Sequence, residues 1–105
     1  MRFVSMILSL TIFAVSQPLF AEGLPPAADI QIDFEKHIQP IFKTNCQDCH
    51  GEFLQESEFR VDRKSFLIRG GDSGEPAIVV GKSAESHLIK LVSGLEPDLR
   101  MPPDK

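Results

Sequence analysis

Five consecutive residues carry most of the chemistry in this chain: Cys46-Gln47-Asp48-Cys49-His50. The pattern C-x-x-C-H is the attachment signature of a c-type haem. Two thiols three positions apart on one helical turn can each form a thioether to one vinyl group of a porphyrin. The adjacent imidazole is then held beneath the ring, where it can ligate iron from the proximal side. The chain has 2 Cys in all, so one cofactor accounts for both and none is left for a disulfide framework. Other chemistries use parts of the same pattern. A thioredoxin-like pair needs a low-pKa thiolate at a helix N-terminus after a strand, whereas the residues before Cys46 read as helix. A structural zinc site needs four ligands, and Cys46, Cys49, His50 and one distant His could supply them only without the second ligand pair such sites show. A plain disulfide is the remaining alternative. The reading adopted is one covalent haem c with its iron.

An iron bound by His50 needs an account of its other axial position. Met101 is the one Met outside the first 21 residues, and it stands in Arg100-Met101-Pro102-Pro103. The prolines stiffen this stretch and disfavour helix at Met101. A long loop returning a single Met over the ring is what a His/Met electron-transfer haem requires, and the soft thioether raises the potential relative to a second imidazole. The plain alternative is a gap-filling Met, for which a loop flanked by charge has little use. His87 and His37 compete for the same position, but both read as ordinary helical histidines. Arg60, Arg69, Lys82 and Arg100 are candidate partners for haem propionates, and the sequence does not rank them.

Elements that position these residues follow from pattern. Residues 1–21 read as a secretory signal: Arg2 as the positive region, an uncharged apolar run from Phe3 to Val15, a break at Ser16-Gln17-Pro18, and Ala21 at the cleavage position. An uncleaved membrane anchor is the alternative, though the run is short for a bilayer. Haem is attached to C-x-x-C-H outside the cytoplasm, so export to the periplasm or beyond and the haem motif support each other. No membrane span remains once the signal is cleaved. Removing Arg2 leaves ten basic against fifteen acidic residues, which argues against nucleic-acid binding and favours redox partner proteins with basic surfaces.

Residues 22–32 read as an extended linker and 33–105 as one small domain, near the lower limit of what a core alone stabilises. A haem would enlarge that core, so binding and folding should be coupled. Asp33 is expected to cap a helix with the stripe Phe34, Ile38, Ile41 and Phe42, bent at Pro40. A short helical segment is expected to carry Cys46 to His50, with Gly51 releasing the chain. Asp62 is expected to cap a helix from Arg63 to Arg69, stopped by Gly70-Gly71. The turn Gly70-Gly71-Asp72-Ser73-Gly74 lacks the features of a phosphate loop. Ile78-Val79-Val80 is expected to line a haem edge. Ser83 is expected to cap a helix from Ala84 to Val92 with the stripe Ala84, Leu88, Leu91 and Val92, ended by Gly94. The rest, to Pro103, reads as loop.

Placed in this order, the residues resemble a known family. Phe34-x-x-x-Ile38-x-Pro40-Ile41-Phe42, followed by Cys46-x-x-Cys49-His50-Gly51, resembles the opening of class I cytochromes c. Arg60-Val61-Asp62, the glycine turn 70–74, Ile78-Val79-Val80-Gly81-Lys82, Ser86, Leu88-Ile89 and Arg100-Met101-Pro102-Pro103 resemble the planctomycete-type cytochrome c domain in particular. The likeness runs over about residues 33 to 103. It implies an all-α fold, a small cytochrome c-like helical domain wrapped around one covalent haem. It also implies Cys46 and Cys49 as thioether anchors, with His50 and Met101 as axial ligands. In that branch the domain usually stands at the front of a larger exported protein. Such domains often carry Pro where this chain has Val80 or Ser83. Class I cytochromes also close with a C-terminal helix that this chain, ending at Lys105, does not reach. A fragment or a shortened product is implied, loosely folded in isolation because Phe34, Ile38 and Phe42 lack a partner face.

The expected function is single-electron transfer, with no enzymatic step. A peroxidase needs an open coordination site that a fixed Met101 denies. Two readings from other classes stay in view: a haem-based sensor or gas-binding module with a displaceable Met101, and a thiol redox protein using Cys46 and Cys49.

Overall fold

The computed structural model describes residues 23–103. The expected signal at 1–21 lies outside them. The described residues hold helices and turns with no strand, only an isolated antiparallel bridge between His50 and Gln55. The all-α expectation agrees with this. No helix among them is long and apolar enough to cross a membrane.

The first helical stretch opens as expected at Asp33, whose carboxylate accepts from the Lys36 N–H at 3.0 Å. The chain then makes a wide turn, Phe34–Ile38, before tightening into α1, Gln39–Asn45. This answers the problem of Pro40. Proline has no N–H to give, and in a helix interior its ring crowds the preceding turn. Here Pro40 falls in the first turn of α1, where no intrahelical donor is required. His37 belongs to the cap: its Nδ1 accepts from the Asp33 N–H at 2.9 Å.

α2, Lys64–Arg69, and α3, His87–Ser93, complete the set, with short 3₁₀ turns at Glu56–Glu58, Ser83–Glu85 and Pro97–Leu99. Two capping expectations are corrected. Asp62 does not cap α2; it is held by Arg60 through contacts of 2.8 and 2.5 Å, and Arg63 takes the cap position without a side-chain bond. Ser83 does not start the third helix. It opens a 3₁₀ turn, and α3 begins after Ser86, whose side chain turns away from the helix. Ser86 is 1% exposed. Its hydroxyl donates to the Lys82 carbonyl at 2.9 Å and accepts from the Val79 N–H at 2.9 Å. That hydroxyl is a hub for the connection between α2 and α3, and a helix running from Ala84 would break it.

The core is thin. Phe42, Val61 and Leu67 form a buried cluster, with Ile38, Cys46, Phe59, Ile78 and Leu88 packed against it. Phe34 touches Phe42 edge-on with ring centroids 6.1 Å apart but stays half exposed, and Ile41 faces outward. The apolar stripe is therefore narrower than its spacing suggests. α2 ends at Gly70, where φ is +89° and a Cβ would collide with the Glu75 carbonyl. The chain then returns so that the Ile78 N–H reaches the Leu67 carbonyl at 2.8 Å and the Leu88 N–H reaches that of Ala77 at 3.0 Å. These two bonds lay α3 alongside the core.

Candidate cofactor-binding site

Cys46 closes α1, its N–H donating to the Phe42 carbonyl at 2.9 Å. From there the chain makes tight turns and not the expected helical segment. The Cys49 and His50 N–H groups both donate back to the Cys46 carbonyl, at 3.2 and 2.8 Å. Gly51 is required because a Cβ there would collide with the Gln47 carbonyl. The loop after it fixes the motif from the other side. Glu56 N–H donates to the Cys49 carbonyl at 3.0 Å, and Val61 N–H to the His50 carbonyl at 2.9 Å. The backbone N–H and carbonyl groups of Cys46, Cys49 and His50 are thus all held by a neighbour in sequence or by the returning loop.

The His50 ring is oriented by two contacts. Its Nδ1 lies 3.0 Å from the Glu56 carbonyl oxygen. A carbonyl can only accept, so Nδ1 carries a proton, and in the neutral ring the lone pair is left on Nε2. That arrangement presets a ligating imidazole, whose second nitrogen is commonly anchored on a carbonyl or carboxylate. Phe59 meets the ring edge-on at 5.6 Å. Cys46 is half-buried against the core and Cys49 is exposed, and no disulfide joins them.

Both cysteines and His50 open onto a cavity of about 410 Å³. Phe59, Leu88, Leu91 and Leu99 supply apolar wall, and Met101 lines the same space from the far end of the chain. The Met101 N–H donates to the Leu91 carbonyl at 3.1 Å, which fastens its loop to α3. The Cys46, Cys49, His50 and Met101 picked out by spacing are therefore brought to one cavity.

The donor set fits a c-type haem. A large apolar space sits beside a small core, two thiols stand at the attachment spacing, and one imidazole has its proton already committed. A thioether sulfur shares the cavity. No group of three or more His, Cys, Asp or Glu residues among the described residues could hold a bare metal ion, so the zinc alternative finds no cluster here.

Several expectations are corrected at the walls. Ile78, Val79 and Val80 do not line the cavity: Ile78 packs on the core and Val80 is 81% exposed, while the neighbouring Ala77 takes the wall position. Ala84 is also outside it, although Leu88, Leu91 and Val92 line it as their stripe suggests. The candidate propionate partners Arg60, Arg69, Lys82 and Arg100 stand outside the lining, which neither ranks nor removes them. Arg60 is engaged by Asp62, Lys82 by Glu85 and Arg69 by the face of Phe66. Hydrogen bonds from Arg60 hold the Asp62 carboxyl below the usual carboxylate range, against a smaller opposing effect of burial.

The charges that do line the cavity are acidic: Glu56, Asp72 and Glu75, joined by His87. His87 Nδ1 lies 3.2 Å from Glu75 Oε2. Sequence reading missed this pair, since the partners are far apart in the chain and no local pattern joins them. It missed the Glu56 carbonyl for a different reason, because a backbone acceptor leaves no mark in the residue type.

The family described as planctomycete cytochrome C matches residues 46–105. No curated protein and no solved structure matches the chain.

Proposed function

The chain belongs to the planctomycete cytochrome C family, and from that membership together with the cavity we propose that it is an exported monohaem electron carrier with His50 and Met101 as axial ligands. When bound, the haem supplies a one-electron change of its iron. The protein's own residues do the rest. Cys46 and Cys49 anchor the group through thioethers. His50 offers Nε2 because Glu56 holds Nδ1, and Met101 offers its sulfur from a loop tied to Leu91. Phe59, Leu88, Leu91 and Leu99 exclude water, and the low polarity of their wall limits the reorganisation that accompanies a change of charge. The acidic surface suits partners with basic faces. Residues 1–21 act as the export signal, 22–32 as a linker and 33–105 as the haem domain.

The observation that carries this reading is the convergence of all four sequence-picked donors on one apolar cavity. A gas-binding sensor requires Met101 to leave the iron readily, and the Met101–Leu91 bond works against that. The test is to express the chain with c-type maturation and export, then extract it with acid–acetone. The expected product stays red, and Cys46→Ala with Cys49→Ala together lose the pigment on extraction. A colourless wild-type protein, or one whose haem extracts, overturns the proposal.

A further inference from the structure

His87 has no role in holding a haem through His50 and Met101, yet it lines the same cavity. Its position is built. The His87 N–H donates to the Pro76 carbonyl at 3.3 Å, fixing the start of α3, and Nδ1 meets Glu75 Oε2 at 3.2 Å. Its side chain is 23% exposed, enough to trade protons with water while most of the ring stays inside. Histidine is the side chain whose ordinary titration falls near neutral pH, and a carboxylate beside it accepts a hydrogen bond from either charge state. We propose that the His87–Glu75 pair is a redox-linked proton site, taking up a proton when the haem in this cavity is reduced and releasing it on oxidation.

The argument rests on the haem reading above and on charge. Oxidation adds one positive charge to the cavity. A protonated His87 sharing that apolar space opposes this charge far more than it would across water. Reduction relieves the opposition. Linkage then runs both ways: whatever electron transfer does to the proton, the proton does to the potential. In balance, one electron arrives from a one-electron donor protein and one proton arrives from solvent at a ring nitrogen of His87. Both leave again when the acceptor takes the electron. The sign follows: the midpoint potential falls as pH rises through the titration of the pair, and levels off on either side.

Other titratable groups bear on the same space. His50 is committed to iron and to the Glu56 carbonyl, and the two thiols are spent as thioethers. Glu56 and Asp72 line the cavity, and Glu85, on the turn before α3, is paired with Lys82. Of the two imidazoles that line the cavity, His87 is the one not assigned to iron. The haem propionates are the one competing source.

The experiment is spectroelectrochemical titration of the holoprotein from acid to alkaline pH, with proton uptake on dithionite reduction measured in weakly buffered solution. The wild type is expected to show a sloping potential around neutral pH and uptake of a substantial fraction of a proton per electron there. His87→Asn is expected to lose both while keeping the thioether haem. Glu75→Gln, a gentler change, is expected to move the sloping region to lower pH without abolishing it. A slope and uptake unchanged in both variants assign the proton to the propionates and overturn the proposal. Loss of the His/Met spectrum in His87→Asn identifies His87 as a ligand and also overturns it. A wild type without covalent haem fails the functional reading itself, a separate result seen before any titration.

Discussion

The His50 Nδ1 and the Glu56 carbonyl oxygen are 3.0 Å apart, and the turn presenting that carbonyl is backbone under strain. Ser57 and Glu58 both sit in the left-handed region, at φ 56° and 53°. Side chains other than Gly, Asn and Asp adopt it reluctantly. The orientation of the imidazole therefore depends on the backbone of Ser57, which also lines the cavity, and of Glu58.

That dependence is testable at Ser57. Ser57→Gly removes the conformational penalty and is expected to leave stability and spectrum intact. Ser57→Val places a β-branched residue at positive φ and is expected to cost about 1–3 kcal/mol, with a shift in midpoint potential as the His50 anchor loosens. Chemical denaturation and potentiometry of the two holoproteins decide between these outcomes. Equal behaviour of the variants shows that the turn does not govern His50.

At Met101 the prediction concerns the sixth coordination position. The reduced wild type is expected to bind carbon monoxide slowly and incompletely, because the Met101 loop is fastened to Leu91. Met101→Ala is expected to bind it rapidly and fully. Met101→His is expected to lower the midpoint potential, since an imidazole stabilises ferric iron better than a thioether. Rapid, complete binding by the wild type favours the sensor alternative.

Ser86 offers a test of the connection between α2 and α3. Its buried hydroxyl serves the Val79 N–H and the Lys82 carbonyl. Ser86→Ala leaves those groups without that partner and is expected to cost about 2 kcal/mol. Ser86→Cys keeps the volume with a weaker bond and falls between. A denaturation midpoint for Ser86→Ala equal to wild type contradicts the hub described here.

Acid titration of stability addresses Arg60 and Asp62. The Asp62 carboxyl is held below its ordinary value of 3.8 by Arg60. A group lowered in the folded state contributes stability that is complete above the unfolded value and is lost as pH falls through the folded one. The difference in stability between wild type and Asp62→Asn is thus expected to be constant at neutral pH and to vanish at strongly acidic pH. Urea midpoints measured down the pH scale check this, and a difference that persists in acid assigns the effect of the substitution to packing.

The sequence was most legible where one residue type has one task. The Asp33 cap, the helix ends at Gly70 and Gly94, and the meeting of Cys46, Cys49, His50 and Met101 at one cavity were readable because residue type and spacing select them. Competition between partners hid the rest. Asp62 is as good a helix cap as Asp33, but a guanidinium two residues earlier takes it first. Ser86 resembles any exposed serine until the chain folds back on it. The apolar run 78–80 looked like a wall, yet the Ile78 N–H bond to Leu67 turns that side chain to the core and leaves Ala77 facing the cavity. Contacts between distant residues, as at Glu75 and His87, have no local pattern at all.

The two thiols differ in burial, and this has a consequence in time. Cys46 packs against Phe42, Val61 and Leu67, while Cys49 stays exposed. Both open onto the cavity, but Cys46 shares its surroundings with the core while Cys49 meets solvent. A thiol reagent added to the folded, haem-free chain is therefore expected to label Cys49 before Cys46.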